Sequence, residues 1–434
     1  MRSGIKSIIQ NRANRIVSYF SKYIKSAVGL LKRNKVIFEN FSYLTLFQVL
    51  SLIFPLITYP YLVRVLGKEL YGLVITAQVL SGYCTIIVQF GFPLISAKHI
   101  AINKDNKEEL SRIMSAILCS QAFLLLVSFA LYMAVICLVP SYREHFLLFF
   151  YSFFLVLQSI LFPQFYFQGI EKMKYVTIIQ LVFQLIFVAL TFVVIKEQSD
   201  YVYVPLLHSI GYAIGGVIAL YLIFVKDGIK FRKPIFSDVK YYTKDALPIF
   251  STDVICTIKD KLNYLLLGSM VSMSQVVVYD VGAKIHALMM KPNGIILTVI
   301  FPKMAKDKDD RQFKKVAWVV FGMIVFLYGI INLFLHPIVF YFIGEEIDLL
   351  PIRLFVLCPL FLGVSQYFAR CFFIARGYNK HILYSIVITT FVYIVSLIIF
   401  YLMEQLNSVT TFVILTLLSF VAELLYRIIV YRKL

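Results

Sequence analysis

Apolar runs of about 20 residues recur from one end of this sequence to the other, each long enough to cross a ~30 Å hydrocarbon layer as a helix. Short polar breaks separate them. Lipid offers no partner for a bare N–H or C=O, so such a series restricts the chain to side-by-side helices. Only 15% of the 434 residues are charged, against roughly 25% in soluble domains. A soluble interior of this size has no room for so much apolar chain. The fold class expected is an all-α, polytopic membrane protein.

Twelve spans are predicted. Six lie near residues 40–63, 70–97, 113–139, 145–168, 175–195 and 201–225; six more lie near 245–267, 275–302, 316–343, 350–375, 381–403 and 407–430. Of the 42 Lys and Arg residues, 32 fall in the N-terminal arm, the C-terminal tail and alternate loops, and 5 in the intervening loops. By the positive-inside rule this split puts both termini and the basic loops in the cytoplasm. The net charge of +19 is therefore a topology signal, and a nucleic-acid partner is not expected.

Residues 1–39 form a basic arm in which Ile16, Phe20, Ile24, Ala27 and Leu31 recur at helical spacing among lysines. That pattern suits a helix on an anionic membrane surface and equally a disordered tail that reinforces orientation. The linker 226–244 divides the rest into residues 40–225 and 245–434. These halves echo one another: "YLVRVLGKELYGLVITAQ" (61–78) resembles "YLLLGSMVSMSQVVVYDVGAK" (264–284), and "FYFQGIEKMKYVTIIQLV" (165–182) resembles "FFIARGYNKHILYSIVIT" (372–389). Halves of six spans each have the same orientation and are expected to enclose a cavity about an axis along the membrane normal.

Cations also fall inside predicted spans, among them Lys259, Lys261, Lys284, Lys291 and Arg370. A charge at the bilayer centre costs at least ~2.5–3.5 kcal/mol and marks a hydrated or paired position. At 100° per residue Asp280, Lys284 and Lys291 share one stripe of the eighth span. Asp253 and Asp260 share a face of the seventh, with Lys261 about 80° around. Glu423 and Arg427 add an i, i+4 pair in the twelfth span. The first half carries amides instead, among them Gln78, Gln164, Gln180 and Gln184. Asp280–Lys284 and Glu423–Arg427 also read as neutral structural pairs, and Lys259, Lys261 and Lys291 as side chains that snorkel to a surface. His208 and His286, the histidines well inside spans, read as packing residues.

Residues 40–80, "NFSYLTLFQVLSLIFPLITYPYLVRVLGKELYGLVITAQVL", resemble the opening of the Wzx-type polysaccharide flippases in their Pro-containing first helix, "YLVRVLG" exit and "LYG" re-entry. "QFGFPLISAKHIA" (89–101), "FPQFYFQGIEKMKYVT" (162–177) and "IFPKMAK" (300–306) extend the likeness over nearly the whole chain except the arm. These flippases belong to the superfamily of multidrug, oligosaccharidyl-lipid and polysaccharide exporters. The resemblance implies two six-helix bundles around a central cavity in the bacterial inner membrane. The activity it implies is movement of an undecaprenyl-pyrophosphate-linked oligosaccharide, an O-antigen or capsule repeat unit, to the outer leaflet by alternating access.

That substrate suits the buried charges. A pyrophosphate needs counter-ions at a depth where lipid supplies none, and Lys284, Lys291, Arg370 and Lys261 are the expected binding residues. Asp260, Asp253, Asp280 and Glu423 are the carboxylates expected to couple transport to an ion gradient. Polysaccharide polymerase and chain-length proteins are the protein partners it suggests. No metal-ligand spacing, nucleophile grouping or phosphate-cradling Gly loop is present. No metal or cofactor is expected, and no intervening loop exceeds about ten residues, so an enzyme is not expected. The alternative is a cation-coupled multidrug antiporter of the same superfamily, which would favour a cavity dominated by carboxylates.

Overall fold

The computed structural model describes residues 35–307 and 309–434. The reading of the basic arm as a surface helix falls on residues 1–34 and lies outside the described residues. What is described is helical, with no strand among the described residues. In chain order the helices are α1 (Lys35–Gln89), α2 (Phe92–Ile102), α3 (Lys107–Leu138), α4 (Phe146–Gly169), α5 (Met173–Val194) and α6 (Gln198–Lys226). They continue as α7 (Phe236–Met270), α8 (Met273–Asp307), α9 (Asp310–Leu333), α10 (Leu335–Ile343), α11 (Leu350–Ile374), α12 (Asn379–Leu402) and α13 (Val409–Lys433). Nine helices among the described residues are long and apolar enough to cross a membrane. The charged helices α7 and α8, 35 residues each, are not among those nine.

Local chemistry explains the breaks. Gly67 takes φ 77°, ψ 162° inside α1, a conformation that a side chain would strain. The chain folds back there, bringing the Tyr59 and Tyr71 rings to 4.9 Å. In α4 the turn before Pro163 opens, because proline supplies no N–H to continue the ladder, and residues 162–163 are non-helical. Asn106 caps α3 by accepting from the N–H groups of Glu108 and Glu109. Helix α7 begins at Phe236, well before the span expected from residue 245. Its extra turns are amphipathic: Tyr242 and Ala246 are buried against α2 and α3 while Lys240 and Lys244 stay exposed.

Packing distinguishes the two ends of the helical array. At the end carrying residues 64–69 and 344–349, one apolar core is shared by α1, α3, α8, α11 and α13. At the opposite end, which carries the basic loops, there are two separate cores. One joins α2, α3, α4, α5 and the start of α7; the other joins the last part of α8 with α9 and α11. The shared end is fastened by polar contacts as well. Lys68 pairs with Glu345, Arg64 donates to the Tyr341 carbonyl at 3.1 Å, and the Ser274 N–H donates to Glu69 at 3.2 Å. Gly72 lies so close to the Met273 carbonyl that a Cβ there would collide with it.

At the basic end Arg112 grips Asp238 with two hydrogen bonds of 2.5 and 2.6 Å, and Arg232 pairs with Glu108 at 2.7 Å. The Arg112 guanidinium holds the Asp238 carboxyl below the usual carboxylate range. A depressed pKa contributes stability above the unfolded value, near pH ~4, which is lost as pH falls through the folded value.

Two outcomes follow. Gly72→Val should lower the thermal unfolding midpoint of the detergent-solubilised protein, by the equivalent of about 1–3 kcal/mol of overpacking. In Asp238→Asn the acid sensitivity of that midpoint below pH ~4 should be weaker than in the parent.

Candidate functional site

A cavity of about 700 Å³ opens between α1, α7, α8, α11, α12 and α13. Six of the eight charged residues expected from the sequence line it: Lys261, Lys284, Arg370, Asp260, Asp280 and Glu423. Lys259 and Arg427 line it too. Lys291 and Asp253 are exposed and not in its wall.

The charges fall into held and free sets. Lys284 Nζ lies 3.0 Å from Asp280 Oδ2 and 5.1 Å from the centre of the Tyr59 ring. The other Asp280 oxygen accepts from the Tyr264 hydroxyl at 3.1 Å. Glu423 and Arg427 form a 2.6 Å ion pair with 10% and 5% of their side chains exposed. Ser365 donates to Glu423 at 2.9 Å, while Arg427 donates to the Ser365 carbonyl at 2.9 Å and to Ser385 Oγ at 2.9 Å. A buried pair so completely hydrogen-bonded is fixed in one geometry, and removing either partner would strand a charge.

Lys259 is turned inward, 12% exposed, with its ammonium 4.8 Å from the Phe420 ring. Its neighbour Asp260 lies 3.3 Å away but is 61% exposed to the cavity. Lys261 and Arg370 make no salt bridge among the described residues; Lys261 is half-buried beside Gly82 and Arg370 is exposed. Arg370 is displayed by a π-helical turn, Ala369–Ile374, within α11. Five cations and three carboxylates thus line one space, leaving an excess of positive charge for an anionic guest.

Sequence reasoning missed the hub that holds this wall together. Asn263 of α7 is 1% exposed. Its amide donates to the Tyr279 hydroxyl and to Thr416 Oγ1, both at 2.9 Å, and its carbonyl accepts from Tyr393 at 2.5 Å. Four helices meet on one amide. The available signal was a lone Asn within the apolar stretch 262–268; of the groups that answer it, Tyr279 comes from the next helix and Tyr393 and Thr416 from helices remote in sequence. Gln366 also lines the cavity, along with Gln78.

Elsewhere, the Gln180 amide donates to Gln164 at 3.4 Å, the interhelical role expected of such residues. The His208 ring is stacked between Phe187 and Tyr212 at 4.3 and 4.6 Å. His286 faces the cavity between Phe355 and Phe420, with no partner for Nδ1 among the described residues.

Asn263→Leu should lower the unfolding midpoint by the equivalent of about 1–3 kcal/mol for each hydroxyl left unpaired. Tyr393→Phe should cost less, because the Asn263 amide keeps its two donated bonds. A thermal-shift series on the purified variants checks that order.

Comparison with known proteins agrees with this architecture. Residues 37–308 match the family model described as polysaccharide biosynthesis protein. A protein of Escherichia coli (strain K12) named "Putative O-antigen transporter" is 30% identical over 185 residues, 43% of this chain and 45% of that protein. A Shigella dysenteriae protein of the same name is 26% identical over 361 residues, covering 79% of this chain and 87% of that one. The chain thus spans less than half of the first relative and most of the second. Among solved structures, the lipid II flippase MurJ in an inward closed conformation superposes with a TM-score of 0.69 at 15% identity, over 89% of this chain and 87% of that one. An inward-facing multidrug transporter of the MATE family superposes with a TM-score of 0.67 at 13% identity, over 88% and 94%. At such identities the likeness is one of fold alone, a multi-pass, all-helical array.

Proposed function

The chain belongs to the polysaccharide biosynthesis protein family, and from that premise we propose that it is a flippase for a lipid-linked oligosaccharide. Its cargo on this reading is an undecaprenyl-pyrophosphate-linked repeat unit of an O-antigen or capsule, carried from the cytoplasmic to the outer leaflet of the inner membrane. The relatives named as O-antigen transporters support the sugar. The observation that carries the anionic lipid carrier is the cavity's excess of cations, with Lys261 and Arg370 making no salt bridge among the described residues.

The same reading takes the chain across the membrane twelve times. Splitting α1 at Gly67 and adding α7 and α8 to the nine apolar helices supports that number. Both termini are then cytoplasmic, and residues 40–225 and 245–434 are two halves of six spans each joined by the linker 226–244, with the basic end of α7 packed on the first half. On this reading the shared core lies at the periplasmic end and the two separate cores at the cytoplasmic end, and the conformation is an inward-facing one. Such a protein is a carrier and not an enzyme, and the polymerase and chain-length proteins would receive its product.

Lys261, Lys284 and Arg370 are the residues we assign to the pyrophosphate in the cavity, with Lys291 meeting it two turns nearer the cytoplasm. Among the carboxylates Asp260 is the one open to the cavity, which suits it to ion coupling. Asp280 and Glu423 are bound to internal partners and respond only when those partners move. Asp253 stands outside the wall.

Cells lacking the gene should accumulate a completed single repeat unit on undecaprenyl pyrophosphate and lose surface polymer. Lys261→Ala with Arg370→Ala should cut surface polymer roughly tenfold or more, the scale of lost charge-assisted hydrogen bonds, without loss of the protein from the membrane. Normal polymer with no trapped intermediate, together with export of cationic dyes, would instead support the multidrug antiporter.

A further inference from the structure

The Tyr264–Asp280 hydrogen bond, 3.1 Å long, fixes the register of the antiparallel pair α7 and α8. Counting outward from it in equal steps, Asp260 comes level with Lys284, and Asp253 comes level with Lys291. Each step of seven residues is close to two helical turns and roughly 10 Å, so each helix repeats its charge on the same face. Asp260 and Lys284 both line the cavity. Asp253 and Lys291 therefore lie on the cavity-facing stripes of the two helices, at one depth, nearer the basic end.

At present these rungs are open. Among the described residues the side-chain hydrogen bonds between α7 and α8 are made by Asn263, Tyr264, Tyr279 and Asp280, all near the turn. Beyond it the helices take different partners. Helix α7 follows the first half of the chain: Tyr83 donates to the Ile258 carbonyl at 3.4 Å, Phe90 stacks on Phe250 at 4.2 Å, and His99 meets Asp245 at 3.0 Å. Helix α8 follows the second half, with Asn293 donating to the Gly363 carbonyl at 3.3 Å and Leu297 and Ile300 in the core with Tyr367. Asp253 and Lys291 are both exposed, and neither makes a salt bridge among the described residues. Asp260 and Lys284 are paired on their own helices instead.

The geometry points to Asp253 and Lys291 as the two halves of an inner gate, an ion pair that forms when the basic ends of α7 and α8 come together. Asp260–Lys284 is the second rung of the same ladder. Lys68–Glu345 already spans the two halves at the opposite end, so alternating access exchanges one set of ion pairs for another. The ladder also deepens the flippase reading, on which this consequence rests. Asp253 and Asp260 take over the lysines that held the pyrophosphate, so closing the inner mouth releases the anion toward the outside. The closed mouth then contains paired charge only, which lowers the cost of withdrawing it from water.

The test is a charge exchange read on the protein itself. In a chain retaining Cys256, which lines the cavity, as its single cysteine, Asp253→Lys and Lys291→Asp should each raise labelling by a membrane-impermeant thiol reagent from the cytoplasmic side. The double exchange, which restores the pair in reverse, should return labelling to the parent level. In a cysteine-free background, Asp253→Cys with Lys291→Cys should cross-link under mild oxidation, and reduction should undo the cross-link. No cross-link, or a double exchange no better than the single ones, would overturn the gate. Labelling and cross-linking do not depend on the cargo. A gate that works in a protein shown to carry something else would thus leave the ladder standing and sink only the flippase reading.

Discussion

The cost of an unpaired charge in hydrocarbon governs this structure. Helices α7 and α8 carry Asp253, Lys259, Asp260, Lys261, Asp280, Lys284 and Lys291 along a length that otherwise reads as membrane-spanning. Lipid cannot surround such a pair, because each charge would face a penalty of several kcal/mol. The helices must therefore share a hydrated space, with the apolar helices of the chain outside them. That requirement places the cavity and assigns the lipid-facing role to helices such as α3, α9 and α12, whose outer residues Phe123, Phe326 and Phe391 are exposed.

The distribution of apolar contact then sets which end of the cavity is closed. A single core continuous through both halves makes a rigid junction, since close-packed interiors resist small deformations. Two separate cores at the other end can move as units, with the turn between α7 and α8 as the point from which they diverge. Asn263 lies just below that turn and ties α7 to α8, α12 and α13 through hydroxyl groups. It keeps that end of the cavity in one geometry. The charges divide in the same way. Glu423–Arg427 and Asp280–Lys284 are locked beside packed helices, whereas Asp260, Lys261 and Arg370 face the space a guest would occupy.

Much of this was legible in the sequence, because apolar runs and helical charge stripes are local properties. The stripe of Asp280, Lys284 and Lys291 follows from spacing alone, whereas the level placement of Asp260 and Lys284 rests on the register set by the Tyr264–Asp280 hydrogen bond. What spacing does not contain is which helices close around the stripe. The π-helical turn that displays Arg370 and the extension of α7 back to Phe236 both depend on tertiary partners. The Asn263 hub is the clearest case: one amide in an apolar run gains meaning only when Tyr279, Tyr393 and Thr416 arrive from elsewhere. Likewise a helical wheel puts Asp253 with Asp260, yet only the divergence of α7 from α8 leaves Asp253 outside the cavity wall.

The central claim is that this cavity holds an anionic lipid carrier. It is tested most directly by measuring binding of undecaprenyl pyrophosphate and of uncharged undecaprenol to the purified protein, at low and high salt. The account predicts that the pyrophosphate binds, that undecaprenol binds much less, and that salt and inorganic pyrophosphate both weaken the difference. Equal binding of the two lipids, or binding unaffected by salt and pyrophosphate, would contradict it.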